Sequence, residues 1–325
     1  MASSFTIPVV DIEPFRKGEG AARAAVARAF GDALENVGFA TIVGHGIDDQ
    51  LLTATYGAMR DFFDLPLEEK LRSCPPEQVK MRGYLPIGIE SVAATLEAEA
   101  PPDLCEALVF ANLSRPLGTP GSRDNIWPEQ PAGIRGLVMT YHQSLQALGR
   151  QLMRVASLAL DLPEDYLDPH YADSSLTLRF VNYPDQLAAP KPGQMRYGAH
   201  HDYGGLTILR QDSAPGGLEV CDASGHWHTV PASGDGFVIN VGDLMSRWTN
   251  GRWRSTLHRV VNPGRELTGN TRRLSMVGFF DPNENTEIAC LPSCASSKNP
   301  PRWPPVKAGD YVLSKLAKSM DLPAA

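Results

Sequence analysis

GAHHDYGGLTIL, residues 198–209, sets two histidines and an aspartate directly ahead of an apolar run of strand composition. In extended backbone, neighbouring side chains point to opposite faces and residues two apart share one. His200 and Asp202 therefore look the same way, and His201 looks the other. One imidazole and one carboxylate on one face are two of the three ligands of a two-histidine, one-carboxylate centre, a donor set that leaves adjacent coordination positions open on Fe(II). The third ligand has to come from elsewhere in the chain.

The texture around this stretch is β-rich. LTLRFVNY, LTILRQ, LEVCD, HWHTV, GFVINVG, LHRVVN and RLSMVGFF follow one another between turns such as PGG, DASG and SGDG. Short strands at regular spacing predict a sandwich or barrel. Upstream, Ile134, Leu137, Tyr141, Leu145, Leu148, Leu152, Val155 and Ala159 recur every three or four residues, which predicts a long helix packed on a sheet. FTIPVVDI reads as a strand; a helix carrying Val26, Phe30, Ala33 and Val37 follows, and then a second strand, FATIV. Residues 48–72 read as another helix with Leu51, Leu52, Met59, Phe62 and Phe63 inward, interrupted at Pro66. The passage from 73 to 130 is rich in turn residues and gives no clear element. AGDYVLSKLAKSM predicts a final amphipathic helix.

Composition narrows the function. The chain has 325 residues, 42% of them hydrophobic and 21% charged, which is enough for a substantial core. Its formal charge of −7 comes with no basic block, so no nucleic-acid partner is expected. No positively charged leader precedes an apolar run, and no stretch reaches the roughly 18 apolar residues of a membrane span. The expectation is a cytoplasmic protein, monomeric or weakly self-associating. Five cysteines without a Cys-x-x-Cys pair fit reduced thiols better than a disulfide framework.

For the third ligand the candidates are His45, His142, His170, His226, His228 and His258. His142 falls on the long helix, His45 beside a turn, and His226 and His228 straddle Trp227 just after a turn. His258 lies in a late strand, between Leu257 and Val260, and a double-sheet barrel can return that strand to the side of the first pair. Further on, Arg273 and Ser275 share a strand face; an arginine fork with a hydroxyl suits a buried carboxylate.

In this order, NYP at 182–184, GAHHDYGGLTILRQD, GGLEV, FVINVGDLMSRWTNGRWRSTLHRVVNP and RRLSMVGFF resemble the non-haem Fe(II), 2-oxoglutarate-dependent dioxygenases of the isopenicillin N synthase-like branch. IPVVDI, GFATIVGHGI and MRGYLPIG resemble its N-terminal region, so the likeness runs over nearly the whole chain. It implies a mainly β fold with flanking helices: a double-stranded β-helix, or jelly-roll, core with a helical N-terminal region and a C-terminal helix. The expected organisation is a mixed helical region at 1–170, a catalytic core at 171–285 and a helical extension at 286–325, all one structural unit. The implied cofactors are Fe(II), 2-oxoglutarate and O2. The implied metal ligands are His200, Asp202 and His258, with Arg273, Ser275 and Tyr183 on the distal carboxylate of 2-oxoglutarate. The family's Asn-Tyr-Tyr-Pro is shortened here to Val181-Asn182-Tyr183-Pro184, and His201 stands where many relatives carry threonine.

The activity implied is oxidation of a small metabolite, by hydroxylation, desaturation or ring formation, with release of succinate and CO2. Arg82, Tyr84 and Phe279 are the expected substrate-lining residues. One alternative is an oxidase of the isopenicillin N synthase type, which uses O2 without 2-oxoglutarate; the arginine that holds its substrate is replaced here by Met81, next to Arg82. Another is a non-catalytic metal-binding barrel.

Overall fold

A computed structural model describes residues 5–75, 82–96, 100–113, 125–186, 189–264 and 269–319. The strands of the two main sheets are β1 (Val9–Asp11), β2 (Phe39–Val43), β3 (Gly83–Leu85), β4 (Glu106–Phe110), β5 (Ser175–Tyr183), β6 (Tyr197–His200), β7 (Leu206–Gln211), β8 (Gly217–Cys221), β9 (Trp227–Thr229), β10 (Phe237–Val241), β11 (His258–Val261) and β12 (Arg273–Asp281). They form an eight-stranded sheet, ordered β1-β2-β10-β7-β12-β5-β4-β3, facing a four-stranded sheet, β6-β11-β8-β9. This is the jelly roll expected. The N-terminal region supplies both ends of the large sheet, β1 and β2 at one and β4 and β3 at the other, so it is built into the sandwich itself.

The helices are α1 (Glu13–Lys17), α2 (Ala21–Asn36), α3 (Asp49–Asp64), α4 (Leu67–Leu71), α5 (Ile134–Ala159), α6 (Asp243–Trp248) and α7 (Ala308–Ser319). Asp48 caps α3 by accepting from the Gln50 N–H at 2.8 Å, and the helix ends where Leu65 turns extended ahead of Pro66. On α5 the buried stripe runs Ile134, Val138, Tyr141, Leu145, Leu148, Leu152, Val155. Val138 fills the place expected of Leu137, which is half-buried, because a 3.6-residue period selects the former after Ile134. Gly149 lets α5 close on the sheet: a Cβ there would lie 2.8 Å from the Phe280 ring.

The main core lies between the large sheet and α2, α3 and α5. Two smaller apolar clusters join the two sheets, one with Val181 and Tyr183 against Val260, the other with Leu209 and Val238 against Leu218 and Val220. The turn-rich passage contains β3 and β4, missed because their pairing partners are distant. Glu106 of β4 shows what fixes them. Its carboxylate accepts from Lys70 at 2.8 Å, the Tyr84 hydroxyl at 2.5 Å and the Asn182 amide at 2.7 Å, so one buried charge is paired and fully hydrogen-bonded among α4, β3 and β5. Among the described residues, no helix is long and apolar enough to cross a membrane. All five cysteines are free thiols.

Candidate active site

Between the sheets a cavity is lined by His200, Asp202, His258, Arg273, Ser275, Tyr183, Arg179, Tyr197 and Phe279, among others. The antiparallel pairing of β6 and β11 sets His258 opposite His200, with ring centroids 4.2 Å apart. Asp202 follows two residues after the end of β6, and its backbone carbonyl accepts from the Asp243 N–H at 2.8 Å. All three residues are 7% exposed.

The hydrogen bonds around this trio decide which atoms remain free. His200 Nδ1 lies 2.9 Å from the Gly198 carbonyl and His258 Nδ1 lies 3.0 Å from that of Thr256. A carbonyl only accepts, so each Nδ1 donates, and in the neutral ring that leaves the lone pair on Nε2. Asp202 Oδ2 accepts from Thr207 Oγ1 at 2.5 Å and from Asn240 Nδ2 at 2.6 Å. Thr207 and Asn240 face each other across β7 and β10. The remaining atoms converge: Asp202 Oδ1 is 3.6 Å from His200 Nε2 and 3.7 Å from His258 Nε2. Among the described residues this is the one group of three or more histidine, cysteine or carboxylate side chains arranged to hold a metal ion.

Electrostatics favour the same state. Burial alone would raise the Asp202 carboxyl, but His258, His200 and the Thr207 hydroxyl hold it well below the usual carboxylate range. Burial, helped by the neighbouring His200, pushes His258 down to about 4. A carboxylate and a neutral imidazole at pH 7 are metal-binding forms, with no proton to displace.

Farther along the cavity, β12 presents Arg273, 1% exposed, with Tyr183 opposite it on β5. Arg273 Nη2 donates to Gln211 Oε1 at 2.5 Å, while its buried Nη1 has no partner. Among the described residues no carboxylate forms an ion pair with it. The Tyr183 ring lies 5.0 Å from the guanidinium carbon. Burial pushes the Tyr183 hydroxyl up, and Arg273 and a hydrogen bond with Ser275 partly offset this. Two hydroxyls and an unfilled cationic donor thus meet inside the protein, a set suited to an anionic carboxylate.

Of the expected lining residues, Phe279 is at the cavity. Tyr84 is not: it is 1% exposed, edge-on to Phe62 in the main core, with its hydroxyl on Glu106. Arg82 is buried but does not line the cavity either, and Met81 lies outside the described residues. The other histidines are accounted for elsewhere. His201 Nδ1 donates to the Ser255 carbonyl and His45 Nε2 to that of Asp235. His228 pairs with Asp222, His226 is exposed, His142 is buried on α5, and His170 packs edge-on against Trp248. Thr207, Asn240 and Gln211 were not anticipated. A lone amide within the apolar run FVINV was the available signal for Asn240.

Fold and site together describe a jelly roll with a buried two-histidine, one-carboxylate group between its sheets. Residues 166–282 match the model of the 2OG-Fe(II) oxygenase superfamily, and residues 7–130 that of the non-haem dioxygenase in morphine synthesis N-terminal region. The chain is 33% identical to 2-oxoglutarate-Fe(II) type oxidoreductase hxnY of Emericella nidulans, over 96% of this chain and 90% of that one. It is 31% identical to homoarginine-6-hydroxylase 2-ODD-233 of Oryza sativa subsp. japonica, over 97% and 98%. The crystal structure of a full-length Neurospora crassa protein in complex with alpha-KG superposes with a TM-score of 0.85 at 27% identity, covering 98% of both chains. The chain belongs to the 2OG-Fe(II) oxygenase superfamily. It is a 2-oxoglutarate-dependent dioxygenase, with Fe(II) and 2-oxoglutarate as cofactors and O2 as co-substrate.

Proposed function

We propose that His200, Asp202 and His258 hold the Fe(II), that Arg273, Ser275 and Tyr183 bind the distal carboxylate of 2-oxoglutarate, and that the enzyme oxidises a small-molecule metabolite. The observation that carries the cosubstrate assignment is the buried Arg273 Nη1 without a partner, beside two hydroxyls. A buried cation left so is costly unless a ligand supplies the anion. Relatives support the substrate size: their names include a validamycin A dioxygenase and a proline hydroxylase, both acting on small molecules.

Bound at this site, Fe(II) and 2-oxoglutarate supply oxidative decarboxylation to succinate and CO2, coupled to oxidation of a substrate C–H bond. The chain's part is positional. Gly198 and Thr256 carbonyls fix the tautomers of both imidazoles; Thr207 and Asn240 occupy one carboxylate oxygen of Asp202 and leave the other for the metal. Arg273 and its hydroxyl neighbours set the depth at which the cosubstrate sits, and Val181, Leu209, Leu218 and Val260 keep its surroundings apolar.

Oxygen consumption by the Fe(II)-loaded protein is expected to require 2-oxoglutarate and to release succinate, and anaerobic addition of 2-oxoglutarate is expected to give a weak visible absorption band. Oxygen uptake indifferent to 2-oxoglutarate, with no band, would favour the oxidase reading instead. The orienting role of Asn240 has its own test. Asn240→Leu keeps the volume and removes one of the two hydrogen bonds that orient Asp202, so Fe(II) affinity, measured by chelator competition, should fall roughly tenfold or more. An unchanged dissociation constant would refute that role.

A further inference from the structure

A second buried arginine faces the cavity, and its environment is the opposite of that of Arg273. Arg179 of β5 pairs with Val277 of β12, four residues along the same two strands from the Tyr183–Arg273 pair, roughly 13 Å away. It lines the cavity beside Tyr197, Val277 and Phe279. Its Nη1 donates to Glu90 Oε1 at 2.8 Å and its Nη2 to Glu90 Oε2. The side chains are 10% and 12% exposed, so this is a buried fork-to-fork ion pair. Glu90 is itself anchored, its carbonyl accepting from the Asp103 N–H at 2.8 Å. The Arg179 guanidinium carbon lies 5.4 Å from the centre of the Tyr197 ring, and that ring meets His200 edge-on at 4.9 Å. The pair thus stands on the metal side of the cavity, one aromatic ring away from a residue of the trio.

We propose that Arg179, neutralised by Glu90 and flanked by Tyr197 and Phe279, is the substrate-recognition subsite, and that it takes an uncharged planar group with a carbonyl or amide edge rather than a carboxylate. The inference rests on the assignment of Arg273 to 2-oxoglutarate, because the two arginines then divide the cavity between an anion and a neutral polar group. A guanidinium has five N–H donors; Glu90 takes two and the buried Cys105 thiol another, which leaves two. Those that remain can donate to a carbonyl oxygen at no cost in net charge. A substrate carboxylate in the same place would lie close to the Glu90 carboxylate in a largely dry setting, where like charges repel strongly. The two aromatic rings supply flat apolar surface for a planar partner.

The test compares paired probes on the holoenzyme with Fe(II) and 2-oxoglutarate, under anaerobic conditions and by calorimetry: benzamide against benzoate, and nicotinamide against nicotinate. The amides should bind roughly tenfold or more tightly than the acids, about 1.4 kcal/mol. Glu90→Gln keeps a hydrogen-bonding partner but removes the counter-charge, so the preference should reverse in favour of the acids. Arg179→Met combined with Glu90→Met removes both charges without leaving either buried alone; binding of the amides should weaken at least tenfold and the preference should vanish. Melting temperatures check that each variant is folded, and 2-oxoglutarate is titrated into every sample. If 2-oxoglutarate does not bind the wild-type protein, the cosubstrate assignment falls and this inference with it. If 2-oxoglutarate binds while acids equal or exceed amides, while neither class binds, or while Glu90→Gln leaves the preference unmoved, the subsite proposal alone is overturned.

Discussion

Replacing His258 with alanine is expected to abolish stoichiometric Fe(II) binding and, with it, all 2-oxoglutarate-dependent turnover, while His201→Ala leaves both largely intact. The reason is geometric. His258 Nε2 is one of three free donor atoms that converge, the others being His200 Nε2 and Asp202 Oδ1, and losing one leaves an imidazole and a carboxylate that cannot enclose an ion. His201 sits next in sequence to His200, yet its Nδ1 donates to the Ser255 carbonyl and it does not line the cavity. Iron content and succinate formation, measured on both variants, check the assignment. A dead His201→Ala beside a live His258→Ala would show that the strand register has been misread.

Arg273→Lys should raise the 2-oxoglutarate concentration needed for half-saturation by roughly tenfold or more, about 1.4 kcal/mol, with iron content near wild type. Lysine keeps the charge but loses the planar fork, so two directed hydrogen bonds become one flexible contact. The Nη1 that now lacks a partner is the atom expected to meet the cosubstrate; a charge-assisted bond of this kind contributes about 1.5–3 kcal/mol. Arg272→Lys is the control. Its side chain points to the opposite face, donating to Asn182 Oδ1 at 2.9 Å and pairing with Asp64, so the saturation curve should barely move. Superimposable curves for Arg273→Lys and wild type would remove the main support for its role.

Much of this arrangement was legible because alternation along a strand is a local rule. His200 and Asp202 on one face, His201 on the other, and Arg273 with Ser275 against Arg272 all follow from period two, and the cavity lining has that parity. The long helix was legible for a similar reason, with a one-residue slip at Val138. What local rules do not carry is partnership across the fold. β3 and β4 pair through a sheet whose next strand is β5, far along the chain, and lie in a stretch where turn residues dominate. Tyr84 looked like a cavity residue from its position in GYLPIG, but a buried Glu106 brought in by β4 holds its hydroxyl in the core. Asn240 and Thr207 act as a pair only because β10 and β7 align them, and Glu90 acquires meaning only when Arg179 arrives from β5.

The two imidazoles of the trio belong to the small sheet, whereas the carboxylate between them is held by hydrogen bonds from the large one. An ion bound by all three spans both layers, so the distance between the layers is the jaw opening of a caliper whose tips are the ligand atoms. Substitutions in the apolar clusters that space the sheets, such as Val181 against Val260 or Leu209 against Leu218, are therefore expected to change how the three side chains meet without touching them. Core residues of this kind tolerate only small changes in volume because the interior is close-packed. In this fold that intolerance is coupled to chemistry: packing along the cavity walls sets the gauge at which the three side chains meet.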